Sequence, residues 1–391
     1  MKEQPVHRWF YFPHSFSPQL VEILLQQWKI RPGDLVLDPF VGAGTTLRVA
    51  QSLGVNGIGT DVSPLSVFIS NAKLKYYDPN AIREALSKLQ QELEKPANLD
   101  LSRPSRLQRA FTDAEFFVLT SIRTFIVSQP EPVRDILLLA LLRIQQRVSR
   151  AIPDGGWFRW VERLSSEMSI WPMFVQFVNS LIDDIGKTQP VPGFWKAYQQ
   201  DARQLEQFQE YRHQLAGGCQ AIVTSPPYPN RHDYSRVFQI ELLTLGMQES
   251  DIFSLRYNSL RSHVEARRPQ GFLPTFKPPA QLENALEALP DANIDRRLRP
   301  MLQGYFEDIN SVLRSVHNVL TAGGYAAFIV GNVRHAGVMI PVDEIIMAMA
   351  ESLGFVSQIT WVARLRGNSA QQMGRYGRLP ARESIVILRK E

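Results

Sequence analysis

Cysteine is nearly missing from this chain: Cys219 is the only one among 391 residues. A single thiol excludes an internal disulfide and a cysteine-built zinc cluster, and it fits a reducing compartment. Long apolar runs are missing too. The most apolar stretch, 136–142, is far shorter than the roughly 20 residues a membrane-spanning helix needs, and Arg134 and Arg143 flank it. It reads as a buried helix segment. The opening Met1-Lys2-Glu3-Gln4-Pro5 lacks the apolar core of a secretory signal. Low-complexity tracts and internal repeats are absent as well. These absences predict a soluble, cytoplasmic protein with no membrane partner and no metal.

What is present suits one large α/β domain with insertions, or two domains: 44% of the residues are hydrophobic and 21% are charged. The formal charge of +5 favours a polyanionic partner, but only mildly. The chemistry concentrates at Thr224-Ser225-Pro226-Pro227-Tyr228, which follows the short apolar run Ala221-Ile222-Val223. That run reads as a buried strand ending in a turn, because two consecutive prolines cannot continue a ladder. The corner offers one hydroxyl, free carbonyl oxygens and one aromatic ring. Ser225 Oγ and the Pro226 carbonyl can accept both N–H bonds of an exocyclic amine while Tyr228 stacks on its ring. The same residues also suit a simple Pro-Pro turn with a packed tyrosine.

Upstream, 11–18 precede a helical pattern in which Ser17 is the expected N-cap and Pro18 the first helical residue. His14, just before it, is either a ligand contact or structural. Gly33-Asp34 turns the chain into the strand Leu35-Val36-Leu37, and Asp38-Pro39-Phe40-Val41-Gly42-Ala43-Gly44-Thr45-Thr46 leads into a helix. Strand, glycine turn and helix together bring a ligand against a helix N-terminus. No Gly-Lys-Ser/Thr follows, which excludes a Walker phosphate loop. A second strand over 57–60 ends at Asp61, placed either to accept both ribose hydroxyls of a nucleoside-like cofactor or to begin a helix. Leu47 stands where a dinucleotide fingerprint requires its third glycine, although a dinucleotide stays possible.

From 81 to 187 the pattern is helical and interrupts the β/α rhythm. Within it, Trp157-Phe158-Arg159-Trp160 suits either base stacking or a packed corner. Asp201-Ala202 can contact an adenine or start a helix. Residues 249–300 look irregular and carry Arg256, Arg261, Arg267 and Arg268; a second basic stretch holds Arg364, Arg366, Arg375 and Arg378. Helices over 302–320 and 342–353 and strands over 325–330, 356–362 and 384–388 complete the α/β pattern.

Taken together, these motifs resemble the DNA amino-methyltransferases, which use S-adenosylmethionine to methylate N4 of cytosine or N6 of adenine. The resemblance covers about 10–75 and 195–245, more loosely 300–390, and rests mainly on 38–46 and 224–228. It implies a Rossmann-like, mostly parallel sheet with the last strand antiparallel, formed by 1–80, 188–245 and 300–391. The helical insertion would be 81–187, and the irregular insertion 246–299 a possible target-recognition element.

The resemblance further implies S-adenosylmethionine held by Phe12, Pro13, His14, Asp38, Pro39, Phe40, Gly42, Gly44, Thr45, Thr46, Asp61, Val62, Asp201 and Ala202. Ser225, Pro226, Pro227 and Tyr228 would be the catalytic set. Arg231, Arg236, Arg256, Arg261, Arg267, Arg268, Arg364, Arg366, Arg375 and Arg378 would face double-stranded DNA. Serine before Pro-Pro-Tyr is typical of the N4-cytosine enzymes. An adenine enzyme, an RNA guanine-N2 methyltransferase and a non-catalytic nucleic-acid-binding relative are the alternatives. A cognate restriction endonuclease is a possible partner, and the oligomeric state is not implied.

Overall fold

The computed structural model describes residues 4–13, 15–96, 99–154, 157–162, 167–207, 210, 213–268, 276–292, 294–367 and 370–391. In chain order the first half contains α1 (Pro18–Gln27), β1 (Leu35–Asp38), α2 (Thr45–Ser52), β2 (Asn56–Asp61), α3 (Pro64–Leu74), α4 (Pro79–Leu93), α5 (Ser105–Ala110), α6 (Asp113–Val127), α7 (Val133–Val148), β3 (Ala151–Asp154), β4 (Trp157–Trp160) and α8 (Glu167–Ile185). The second half contains β5 (Trp195–Gln199), β6 (Cys219–Thr224), α9 (Tyr234–Val237), α10 (Gln239–Thr244), α11 (Glu249–Asn258), α12 (Ala280–Glu287), α13 (Leu298–Val319), β7 (Leu320–Gly331), β8 (Val333–His335), β9 (Val338–Ile340), α14 (Val342–Ser352), β10 (Phe355–Arg366), α15 (Ala370–Tyr376) and β11 (Ala381–Lys390).

Seven strands form one sheet in the order β10-β11-β7-β6-β1-β2-β5. The last strand, β11, runs antiparallel to both neighbours, and the other pairs are parallel. Alternation along each strand builds the two layers. Val36, Ala221, Ala327 and Ile387 pack toward α1 and α2, while Leu37, Ile222, Phe328 and Leu388 pack toward α13 and α14. Strand order grows outward from β1 through β2 to β5, then restarts on the other side with β6. The crevice beyond the C-terminal ends of β1 and β6 is therefore the switch point where open α/β sheets bind ligands.

The insertion between β2 and β5 builds its own apolar cluster, with Ile136, Leu139 and Leu142 of α7 fully buried. It also anchors the chain's first segment. Buried Asp184 on α8 accepts hydrogen bonds from Arg8 (2.7 Å) and Trp9 Nε1 (3.1 Å), which fixes the approach of Phe12 to the sheet.

Two expectations need correction. The helical insertion contains the β3–β4 hairpin, and Trp157-Phe158-Arg159-Trp160 is its second strand. Phe158 is buried there and the Arg109 guanidinium lies 4.2 Å from the Trp160 ring centre, so these two rings are packed, while Arg159 is exposed. The stretch 246–299 is not irregular throughout, since α11 and α12 lie within it. Strand β5 is a full partner of β2 at the sheet edge. Among the described residues no helix is long and apolar enough to cross a membrane.

Candidate active site

Two carboxylates and two threonines join the glycine turn to the neighbouring strand. Thr224 Oγ1 at the end of β6 donates to Asp38 Oδ1 at 2.7 Å, and the Phe40 amide donates to the same oxygen at 3.1 Å. In return, Thr46 Oγ1 donates to the Val223 carbonyl at 3.0 Å. Asp38 is fully buried, and this burial pushes its carboxyl up to about 6. Asp61, ending β2, accepts from the Gly42 amide (3.1 Å) and the Ser63 amide (2.9 Å). Its enclosure likewise raises it to about 6. Gly42 adopts φ +47°, a conformation side chains rarely take, and this keeps the turn open above β1.

A cavity lies over this turn. Of the residues expected to hold a cofactor, Phe12, Pro13, Pro39, Phe40, Gly42, Thr45, Asp61, Val62, Asp201 and Ala202 line it, together with Ser225, Pro226, Pro227 and Tyr228. Asp38, Gly44 and Thr46 do not line it. In this structure Asp38 Oδ1 is engaged by Thr224 and the Phe40 amide, Thr46 Oγ1 by the Val223 carbonyl, and Gly44 caps α2 against Ser70, so all three brace the turn, while Asp38 Oδ2 is buried without a hydrogen-bond partner. His14 lies outside the described residues. The cavity is also lined by His232, Asp233, Tyr234 and His263, which the sequence motifs did not single out. Tyr234 stacks on Phe12 with centroids 5.9 Å apart, closing the wall opposite the glycine turn.

The residues present fit an adenosine-bearing cofactor. Asp61 accepts one backbone amide per oxygen and a hydrogen bond from the Ser66 side chain, and of a carboxylate's roughly four lone-pair sites about one remains for a ligand. Phe12 and Phe40 supply apolar faces, and Asp201 stands at the far end of the same cavity.

At the catalytic corner, Ser225 Oγ donates its proton to the Ile329 carbonyl at 3.0 Å. What the hydroxyl can then offer elsewhere is lone pairs alone. Tyr228 is 9% exposed; its hydroxyl donates to Glu383 at 2.9 Å, and burial pushes its pKa far above the usual phenol range. The ring also lines a second cavity with Asn230, Arg231, Asn332, Arg334, Arg366 and Arg375. Arg334 donates to the carbonyls of Gly337, Tyr376 and Gly377, binding α15 to the β8–β9 hairpin.

The ten expected arginines divide into two groups. Arg231, Arg366 and Arg375 line the second cavity; Arg267, Arg268, Arg364 and Arg378 are exposed. Arg256 and Arg261 are buried, and their expected role against DNA is corrected. Arg256 pairs with Asp233 at 2.8 Å, and Arg261 with Glu307 and Asp308 at 3.0 and 2.7 Å. Arg236 is likewise engaged by Asp233 and Glu265. A buried guanidinium held by carboxylates braces the fold and is not free to neutralise phosphate.

The sequence model of a family described as DNA methylase matches residues 1–71. The Type II methyltransferase M.BsoBI of Geobacillus stearothermophilus is 27% identical, the match covering 100% of this chain and 86% of that protein. The Type II methyltransferase M.AvaI of Anabaena variabilis is 29% identical, covering 100% and 87%. A tRNA (guanine(10)-N2)-dimethyltransferase of Methanothermobacter thermautotrophicus is 34% identical over 74 residues, 19% of this chain and 22% of that one.

Proposed function

The chain belongs to the S-adenosylmethionine-dependent DNA amino-methyltransferases, and from that premise we propose that it methylates N4 of cytosine in double-stranded DNA at the Ser225–Tyr228 corner. One observation carries the choice of residue role: Ser225 Oγ commits its proton to the Ile329 carbonyl. The hydroxyl is thereby kept as an acceptor, which is what an amine donor requires. Serine at this position supports cytosine over adenine by resemblance to the N4 enzymes.

The amine of cytosine is a poor nucleophile because its lone pair is delocalised into the ring. Ser225 Oγ and the Pro226 carbonyl accept its two hydrogens and draw the nitrogen toward a pyramidal form. Bound S-adenosylmethionine supplies an electrophilic methyl group on a sulfonium sulfur. Asp61 would hold the ribose, Phe12 and Phe40 would supply apolar faces to the purine, and Asp201, its carboxylate held by Arg203 at 2.6 Å, would border the same cavity. Cys219 is fully buried in β6, its thiol pushed up to about 12 by burial, so it offers no thiolate for covalent attack on the base.

A cytosine inside a duplex must leave the stack, costing a few kcal/mol, and stacking on Tyr228 returns about 1–3 kcal/mol of that. Arg231, Arg366 and Arg375 face the second cavity, where phosphates of the distorted strand would pass. Incubation with methyl-labelled cofactor on duplex DNA and on RNA, followed by nucleoside analysis, tests the reading. N4-methylcytosine from DNA is expected; label confined to RNA, or to N6 of adenine, overturns the choice of substrate.

A further inference from the structure

Glu383 has no part in the reaction as described, yet it stands directly behind the tyrosine. It lies near the start of β11 and pairs across the sheet with Gly331 of β7 on one side and Arg364 of β10 on the other. Gly331 leaves the space that the Tyr228 ring fills, since a Cβ there would sit 2.9 Å from the ring's Cε2. With its ring over β7, Tyr228 points its hydroxyl to the next strand and donates to Glu383 Oε1 at 2.9 Å. The Arg364 Nε proton goes to Glu383 Oε2, and Arg366 Nη1 stands 3.5 Å from Oε1.

Exposure separates the members of this chain. Glu383 is 7% exposed, whereas the Arg364 side chain is 60% exposed on the surface. Burial raises the Glu383 carboxyl, but Arg364, the Tyr228 hydroxyl and Arg366 outweigh it and hold it below the usual range. A buried carboxylate whose cations face solvent is sensitive to whatever else those cations bind.

We propose that Glu383 is a positioning residue, fixing the plane of the Tyr228 ring and joining it to Arg364 and Arg366, so that phosphate engagement and base stacking are coupled through one carboxylate. The proposal rests on the reading of Ser225–Tyr228 as the transfer site. Phosphate drawn to the two arginines loosens Glu383 from the surface and leaves it to the tyrosine hydroxyl.

A double-mutant cycle on single-turnover methyl transfer tests this, using Tyr228→Phe, Glu383→Ala and the pair. Each single variant removes the same hydrogen bond to a charged group and should slow transfer about tenfold. The pair should be no slower than the worse single variant, because only one interaction is lost. Glu383→Gln keeps an acceptor for the hydroxyl but releases the arginines. It should recover to within about threefold of wild type while steepening the salt dependence of DNA binding by roughly one to two phosphate contacts. Cofactor affinity by calorimetry should stay unchanged throughout.

Losses that multiply in the pair overturn the proposal, as does a glutamine variant as slow as the alanine one with an unaltered salt slope. Should Glu383→Ala not fold, Tyr228→Phe at the wild-type rate, or Glu383→Gln with the wild-type salt slope, overturns it equally. A wild-type chain that methylates no nucleic acid removes the functional reading itself; transfer by wild type with multiplying losses removes only the role of Glu383.

Discussion

The two cavities that meet at Tyr228 are built from different materials. The first, over the glycine turn, is walled by Phe12, Phe40, Tyr234 and Phe238, with Asp61, Asp201 and Asp233 as its acidic points. The second is walled by Arg231, Arg334, Arg366 and Arg375, with Asn230 and Asn332 between them. Apolar faces with a few placed acceptors suit a small cofactor carrying a positive sulfonium, whereas guanidiniums suit a polyanion. One aromatic ring separates them, and Ser225 stands beside it. On the proposed reading, cofactor and nucleic acid would reach the transfer point from these two different sides, so a substitution on one side should leave binding on the other intact.

Ser225→Ala should separate the sides most sharply. Loss of one preorganised acceptor in a transition state costs about 10²–10³ in rate. Cofactor affinity should not change, and stability should fall only by about 0.5–1.5 kcal/mol for each hydrogen bond that Oγ makes, to the Ile329 carbonyl and with Tyr228. Rapid-quench transfer assays beside calorimetry check both halves, and equal losses in affinity and rate would break the division.

Asp61→Ala should act on the first cavity alone. Hydrogen bonds to a charged acceptor contribute about 1.5–3 kcal/mol, so cofactor affinity should weaken roughly 10–100-fold. DNA affinity measured without cofactor should hold.

Asp38 offers a test of the brace beneath the same cavity. Its carboxyl is raised from 3.8 to about 6 by burial. The folded chain therefore keeps a proton that the unfolded chain releases. The resulting stabilisation is complete below pH 3.8 and is lost as pH rises through about 6. A shift of that size corresponds to at most about 3 kcal/mol. Asp38→Asn should flatten this part of the pH profile in chemical denaturation, and an unchanged profile would mean that Asp38 is not the titrating group.

The smallest expected effect is on the other side. Removing Arg366 and Arg375 together should reduce the salt slope of DNA binding by about one to two and weaken it a few-fold, with cofactor binding unaltered. Titration at several salt concentrations would show it; cofactor affinity falling instead would contradict the division.

Much of the scaffold was legible because local signals agreed with the fold. Ser17 accepts the Gln19 amide as an N-cap with Pro18 following, β1 is a short apolar run closed by a glycine turn, and β11 carries the apolar run Ile385-Val386-Ile387-Leu388. Strand β5 was not marked, because an edge strand buries only Ala197 and Tyr198 and keeps polar residues between turns. Helix α11 was read as irregular because one of its two buried positions is Arg256, which leaves no apolar stripe to detect.

The site shows the same division. The strand-end motifs announced themselves through prolines and glycines, whose backbone demands are local. The partners of Arg256, Arg261 and Tyr228 are Asp233, Asp308 and Glu383, and only the folded sheet brings the last two across long stretches of chain. No spacing rule would have found Glu383, which arrives opposite Tyr228 through strand register alone. Within 229–236, His232, Asp233 and Tyr234 line the first cavity, Arg231 lines the second, and Arg236 is held by Asp233.

The most direct measurement is nucleoside mass spectrometry of duplex DNA after incubation with isotopically labelled S-adenosylmethionine, run in parallel with wild type and Ser225→Ala. The account predicts labelled N4-methylcytosine from the wild type, and a rate lower by about 10²–10³ from a variant that binds cofactor normally. Label in N6-methyladenine, or N4-methylcytosine formed equally by both proteins, would contradict it.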